Sequence, residues 1–146
     1  MKTMNPYLNF NGNTEEAFNF YKSVFGGEFT AIMRFKEMPG CDDKIASAED
    51  GDKIMHISLP IGNGNILMAT DSLESMGQKL TEGNNFSIHI GVDSKEEADM
   101  IFNAIAEGGK VEMPIADTFW DSYFGMAADK FGVQWMVDYT VRPDNS

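Results

Sequence analysis

The amino-acid sequence predicts an α+β fold made of two copies of one β-α-β-β-β module. Three observations carry the prediction: a helix-forming segment that occurs twice, strand-like runs in the same order around each copy, and a strong hairpin turn. The duplicated segment runs from Glu15-Glu16-Ala17 to Gly26-Gly27 and again from Glu96-Glu97-Ala98 to Gly108-Gly109. The Glu-Glu-Ala triplets lie 81 residues apart and the Gly-Gly pairs 82 apart. A repeat of about half the chain implies a supersecondary unit used twice, because neither copy can bury its apolar face alone.

Each copy is a helix with its punctuation. Asn13 and Ser94 stand where an N-cap side chain accepts from the first free N–H groups, and Glu16 and Glu97 follow three residues on, as in a capping box. Ala17, Phe20, Tyr21, Val24 and Phe25 in the first copy keep the rhythm of a buried helical stripe, as do Ala98, Ile101, Phe102 and Ile105 in the second. Gly-Gly then ends each helix, since glycine takes the left-handed terminal conformation without steric cost.

Around the helices the sequence predicts strands at 6–11, 28–35, 53–60 and 65–71, then at 84–92, 109–115 and two further runs ending near Tyr139. A loop is expected at 36–51 and a polar linker at 72–83. Gly62-Asn63-Gly64-Asn65 tolerates the positive φ that tight hairpins demand. The expected organisation is one domain, 1–146, with modules at 1–71 and 84–146.

Period-two alternation assigns the strand faces. Leu8 and Phe10 oppose Tyr7, Asn9 and Asn11. Met55, Ile57 and Leu59 oppose Ile54, His56 and Ser58. Phe86, Ile88 and Ile90 oppose Ser87 and His89. Val133, Trp135 and Val137 oppose Gln134, Met136 and Asp138. The first-named faces suit packing on the helices. The others mix histidine, serine, tyrosine, aspartate and methionine, which suits a ligand concavity better than an open surface rich in Lys and Glu.

The 146 residues carry 23 acidic and 11 basic side chains, a formal net charge of −12. Such a charge repels phosphate backbones and anionic bilayers, so nucleic acid and membrane are not expected partners. Cys41 is the single cysteine; acidic Asp42 and Asp43 beside it disfavour a reactive thiolate. No stretch has the length and apolarity of a membrane span or a leader, so a cytoplasmic protein is expected. No P-loop, dinucleotide fingerprint or Ser-His-Asp order occurs, and no glycine-rich strand-to-helix turn is present to hold a nucleoside cofactor for methyl transfer.

Several segments together resemble a known family. They are Pro6-Tyr7-Leu8-Asn9-Phe10-Asn11-Gly12-Asn13, Phe20-Tyr21, Phe25-Gly26-Gly27-Glu28 and Met55-His56-Ile57 with Met68 and Asp71. The C-terminal half adds Asp117-Thr118-Phe119-Trp120, Tyr123-Phe124-Gly125 and Asp129-Lys130-Phe131-Gly132-Val133-Gln134-Trp135-Met136. The sequence thereby resembles the PhnB-like branch of the vicinal oxygen chelate superfamily, which includes glyoxalase I, bleomycin-resistance proteins and extradiol dioxygenases. The resemblance implies a curved, mostly antiparallel half-barrel sheet with helices on its outer face, a homodimer, and a small organic ligand held against the inner face.

Metal-dependent members place four His or Glu ligands on that inner face. Carried over by strand and parity, those positions are Tyr7, His56, Ser87 and Met136, of which only His56 is a competent divalent ligand. The expectation is therefore a ligand-binding protein without metal or other cofactor, contacting its ligand through Tyr7, His56, Ser87, His89, Trp120 and Met136. The alternative is a metal-dependent lyase, isomerase or dioxygenase of the glyoxalase type, using His56, His89 and a carboxylate such as Asp138. His56 is the best catalytic candidate because imidazole titrates near neutral pH; its structural alternative is a hydrogen bond to a neighbour such as Ser58. Trp120 is expected at the pocket rim, Phe131 and Trp135 in the core, and Tyr123 and Phe124 at a subunit interface.

Overall fold

A computed structural model describes residues 3–37 and 47–140; the reading of Cys41 lies outside them. The chain divides into two compact units, Met1–Thr81 and Glu82–Ser146. The first contains β1 (Tyr7–Phe10), α1 (Thr14–Phe25), β2 (Ala31–Arg34), a 3-10 turn at Phe35–Glu37, α2 (Ala48–Asp52), β3 (Ile54–Gly62), β4 (Asn65–Asp71) and a second 3-10 turn at Glu74–Met76. The second contains β5 (Ile88–Gly91), α3 (Lys95–Ala106), β6 (Lys110–Asp117), β7 (Ser122–Ala128) and β8 (Gln134–Thr140). The segment expected to be a plain loop at 36–51 thus holds α2, capped by Ser47, whose side chain accepts from Asp50 N–H.

The two units have the same topology. The strand orders are β1-β4-β3-β2 and β5-β8-β7-β6. In each sheet one pair is parallel, β1 with β4 and β5 with β8, and the other two are antiparallel. The helix after the first strand supplies the crossover that a parallel pair needs. Each sheet is open, α1 packs on β3 and β4, and α3 packs on β6, β7 and β8. The architecture is α+β, as the repeat implied.

The helix faces fill as amphipathic packing requires, with one rotation. In α3, Ala98, Ile101, Phe102 and Ile105 are buried. In α1 the buried set is Thr14, Ala17, Phe18 and Tyr21. The stripe therefore runs through Phe18, while Phe20, Val24 and Phe25 are only half-buried. Phe18 meets Phe10 and Tyr21 edge-on, with ring centroids 6.5 and 5.5 Å apart.

The two N-termini differ. Ser94 accepts from Glu97 N–H at 3.1 Å, and Glu97 reaches back to Asp93 N–H at 2.9 Å. Asn13 makes no side-chain cap. Its role passes to Asp71 at the end of β4. One carboxylate oxygen accepts from Gly12 N–H, Thr14 N–H and the Thr14 hydroxyl at 3.1, 3.0 and 2.6 Å, and the other from Ile54 N–H at 2.8 Å. A carboxylate here also complements the positive end of the helix dipole.

Three expectations need correction, two of them in strands. The pairing of β2 with β3 skips Met55: Met33 faces His56 and Arg34 faces Ile54. This bulge inverts the parity, so Ile54 is buried while Met55 is only half-buried. In the second unit β5 begins at Ile88, so Ser87 precedes the strand and Phe86 is 68% exposed instead of facing the core. Phe131 is half-buried, whereas Trp135 is fully buried, its indole N–H donating to Asp129 at 2.9 Å. The hairpin is as expected: Asn63 and Gly64 take φ of 52° and 80° between paired Gly62 and Asn65.

Candidate functional site

The polar residues singled out by strand parity lie on the sheet faces turned away from the helices. In the first unit, Leu8 and Phe10 of β1 point to α1, which leaves Tyr7 on the opposite face. Tyr7 is level with Met68 of β4, and Met68 with Ser58 of β3. The Tyr7 hydroxyl lies 3.0 Å from Nδ1 of His56, and Nε2 of His56 lies 2.8 Å from the Ser58 hydroxyl. The Tyr7 and His56 rings tilt 32° apart at 5.7 Å. Both imidazole nitrogens are thus satisfied in either tautomer, and the ring is fixed between two hydroxyls. Burial pushes the Tyr7 phenol above its ordinary pKa.

In the second unit, Trp135 and Val137 point inward, leaving Met136, Asp138 and Thr140 on the opposite face of β8. His89 of β5 is level with Met136. Its Nε2 lies 2.7 Å from Asp138 Oδ1, and Asp138 Oδ2 accepts from the Ser122 and Thr140 hydroxyls at 3.0 and 2.8 Å. Burial alone would raise the Asp138 carboxyl. The bonds from Thr140, Ser122 and His89 outweigh it and hold the carboxyl below the ordinary aspartate range. His89 is paired at one nitrogen yet more than half exposed, at 55% of its side chain.

Trp120 sits in the β6–β7 connection, half exposed, beside Phe119 at 94% exposure. The Phe119 and Trp120 rings meet edge-on at 4.9 Å, and Trp120 lies 5.9 Å from Phe124. Tyr123 and Phe124 are half-buried. The Tyr123 hydroxyl donates to Asp99 of α3 at 2.6 Å. That bond, then burial and the charges of Asp99 and Asp117, raise its pKa.

Strand parity did not point to one feature. A cleft of about 460 Å³ in the second unit is lined by Lys95, Asp117, Asp121, Tyr123 and Tyr139, among others. Lys95 Nζ pairs with Asp117 at 3.0 Å and lies 5.0 Å above the Tyr123 ring. Asp121 in its lining takes a positive φ of 65°, a turn conformation that no alternation pattern reveals.

The fold implies four ligands for a divalent metal, and the donors can be tested for that role. Tyr7 is a neutral phenol engaged with His56, His56 is engaged at both nitrogens, Ser87 is a hydroxyl, and Met136 is a soft thioether. This set does not fit a hard or borderline divalent ion. Among the described residues, no group of three or more His, Cys, Asp or Glu gathers at one point. No described helix is long and apolar enough to cross a membrane.

Comparison with known proteins agrees with the fold. The family model described as 3-demethylubiquinone-9 3-methyltransferase matches residues 2–138. Protein YjdN of Escherichia coli (strain K12) is 30% identical over 141 residues, covering 92% of this chain and 93% of its own. Protein PA1353 of Pseudomonas aeruginosa has a crystal structure that superposes with a TM-score of 0.83 at 41% identity, covering 96% of this chain and 98% of its own. The PhnB protein of Bacillus cereus follows at 0.76 and 27%, covering 95% and 100%. The fold alone extends to a glyoxalase/bleomycin resistance protein/dioxygenase family enzyme of Burkholderia phytofirmans PsJN, with a TM-score of 0.62 at 20% identity and coverage of 92% and 97%. The chain belongs to the family of the 3-demethylubiquinone-9 3-methyltransferase model, and it shares its fold with the PhnB protein and with the glyoxalase/bleomycin resistance/dioxygenase proteins.

Proposed function

We propose that this protein binds a small organic molecule against the helix-free faces of its sheets, without a resident divalent metal. In this reading the two units form one domain, the protein is a cytoplasmic homodimer, and its reaction is unassigned. The observation that carries the proposal is the chain Tyr7–His56–Ser58, fixed by bonds of 3.0 and 2.8 Å beside Met33 and Met68 on an otherwise helix-free face. A few fixed polar groups among adaptable apolar side chains are what orient a ligand in a mostly apolar site. Met136 and the His89–Asp138 pair supply the same mixture in the second unit, Trp120 supplies an exposed ring for the rim, and Ser87 lies one residue before β5. His56 is the group best placed to exchange a proton with a ligand, since displacing either hydroxyl opens a ring nitrogen to it.

The test is a thermal-shift screen of metabolites and planar organic compounds against the metal-analysed protein. A ligand that binds only the folded state raises the melting temperature, and Tyr7→Phe and His56→Ala should lose that rise. Hits that stabilise both variants as well as the parent would refute the site. Light scattering at the dimer mass supports the assembly; a monomer contradicts it.

The metal-dependent lyase, isomerase or dioxygenase reading draws on one observation: the Asp138 carboxylate holds His89 at Nε2, as outer carboxylates hold metal-ligating imidazoles. Stoichiometric zinc, nickel, manganese or iron in protein purified without chelator would favour it. Methyl transfer, the activity in the family's description, predicts S-adenosylmethionine binding by calorimetry; we expect none.

A further inference from the structure

We propose that the second unit carries a soft-cation site for Cu(I) or Ag(I), built from the thioethers of Met113, Met126 and Met136 with the His89 imidazole beside them. Met126, Met136 and His89 form a row across three strands, and Met113 adjoins it on β6 between two bulges. Met113 of β6 pairs with Met126 of β7, Met126 with Met136 of β8, and Met136 with His89 of β5. Direct cross-strand partners in regular register project from the same face, so Met126, Met136 and His89 rise on the side away from α3, and Met113 meets Met126 between two register shifts of β6. Adjacent strands lie about 4.8 Å apart, and methionine is unbranched and flexible; neighbouring sulfurs can therefore lean to a common point between their strands.

The chemistry is selective. Thioethers are soft ligands that favour Cu(I) and are poor partners for Zn, Mg or Mn. Thioethers that would serve a divalent ion poorly are thus suited to a monovalent soft ion. Two features near the row favour a cation. The Asp138 carboxylate stands 2.7 Å from His89 Nε2, so Nδ1 is the ring nitrogen left to act as a donor to the ion. The chain also carries a formal net charge of −12. Met113 is exposed and Met126 and Met136 are half-buried, so an ion can reach the sulfurs. This inference does not rest on the organic-ligand reading: it concerns one sheet, and Tyr7 and His56 take no part.

The test is anaerobic titration of the full chain with Cu(I) in competition with a bicinchoninate chelator, repeated with Ag(I) as a redox-inert probe. The expected result is about one equivalent withheld from the chelator. Met126→Leu and Met136→Leu should each weaken retention about tenfold or more. Met100→Leu, on the exposed side of α3, should retain the ion like the parent. Circular dichroism establishes that the leucine variants are folded. The proposal is overturned if no ion is withheld, or if Met126→Leu and Met136→Leu, still folded, bind as the parent does. The compound screen with Tyr7→Phe proceeds on metal-free protein, so either proposal can fail alone.

Discussion

Asp71 and Asp138 both lie near the end of the strand that joins the parallel and antiparallel halves of its sheet. They do opposite things. Asp71 faces the helix, is 1% exposed, and binds three backbone N–H groups and a hydroxyl. Asp138 faces away from the helix, and among the described residues its carboxylate binds side chains, those of His89, Ser122 and Thr140. The parity of one residue decides whether a carboxylate holds the scaffold or stands on the face available to ligands. Duplication preserved the topology and left each copy free to assign its acids.

The largest effect expected from this contrast is at Asp71. Asp71→Ala leaves four donors without their acceptor in a closed interior, at a cost of about 3 kcal/mol or more. Urea denaturation should show it, and an equal loss for Asp138→Ala would break the distinction. Next is Gly109→Ala. A Cβ there would meet the backbone of Ala128 and Asp129, so β7 must shift, at about 1–3 kcal/mol. An unchanged urea midpoint would show that the strand gives way freely.

Capping sharpens the comparison on a smaller scale. Ser94→Ala should cost about 1 kcal/mol, whereas Asn13→Ala should cost a few tenths at most, because Asp71 already serves that helix. Paired melting curves decide this, and equal losses would contradict it. The subtlest effect is the pH dependence of Asp138. Its folded carboxyl titrates below the unfolded one, so its stabilisation is complete above the unfolded value and disappears as pH falls through the folded value. The advantage in melting temperature of the parent over Asp138→Asn should therefore shrink as the pH falls below 3.8, the ordinary aspartate value. A constant advantage would mean that Asp138 is not held low.

Much of the fold was legible because it rests on local signals. The duplicated segment revealed both helices, the Asn63-Gly64 turn revealed the hairpin, and alternation assigned the faces of β1 and β8. The misses share a physical cause, since each depends on a tertiary partner. The Met55 bulge arises in pairing with β2. Asn13 is relieved by a residue 58 positions away in sequence, Asp71. Phe86 is exposed because β5 starts only at Ile88. At the candidate site, parity brought Tyr7, His56 and Ser58 to one face and placed His89, Met136 and Asp138 on another. It did not reveal the bonds among them, and it passed over the pairing of Met126 with Met136 and the bulged approach of Met113, which only the strand register shows.

The central claim is that ligands meet the helix-free faces. It is tested most directly by methyl NMR of protein labelled at its methionines, titrated with a stabilising compound from the screen. Shifts are expected at Met68, Met126 and Met136, with Met100 on α3 unmoved. Shifts confined to Met100 and the Tyr123 cleft, with the face methyls unmoved, would contradict it.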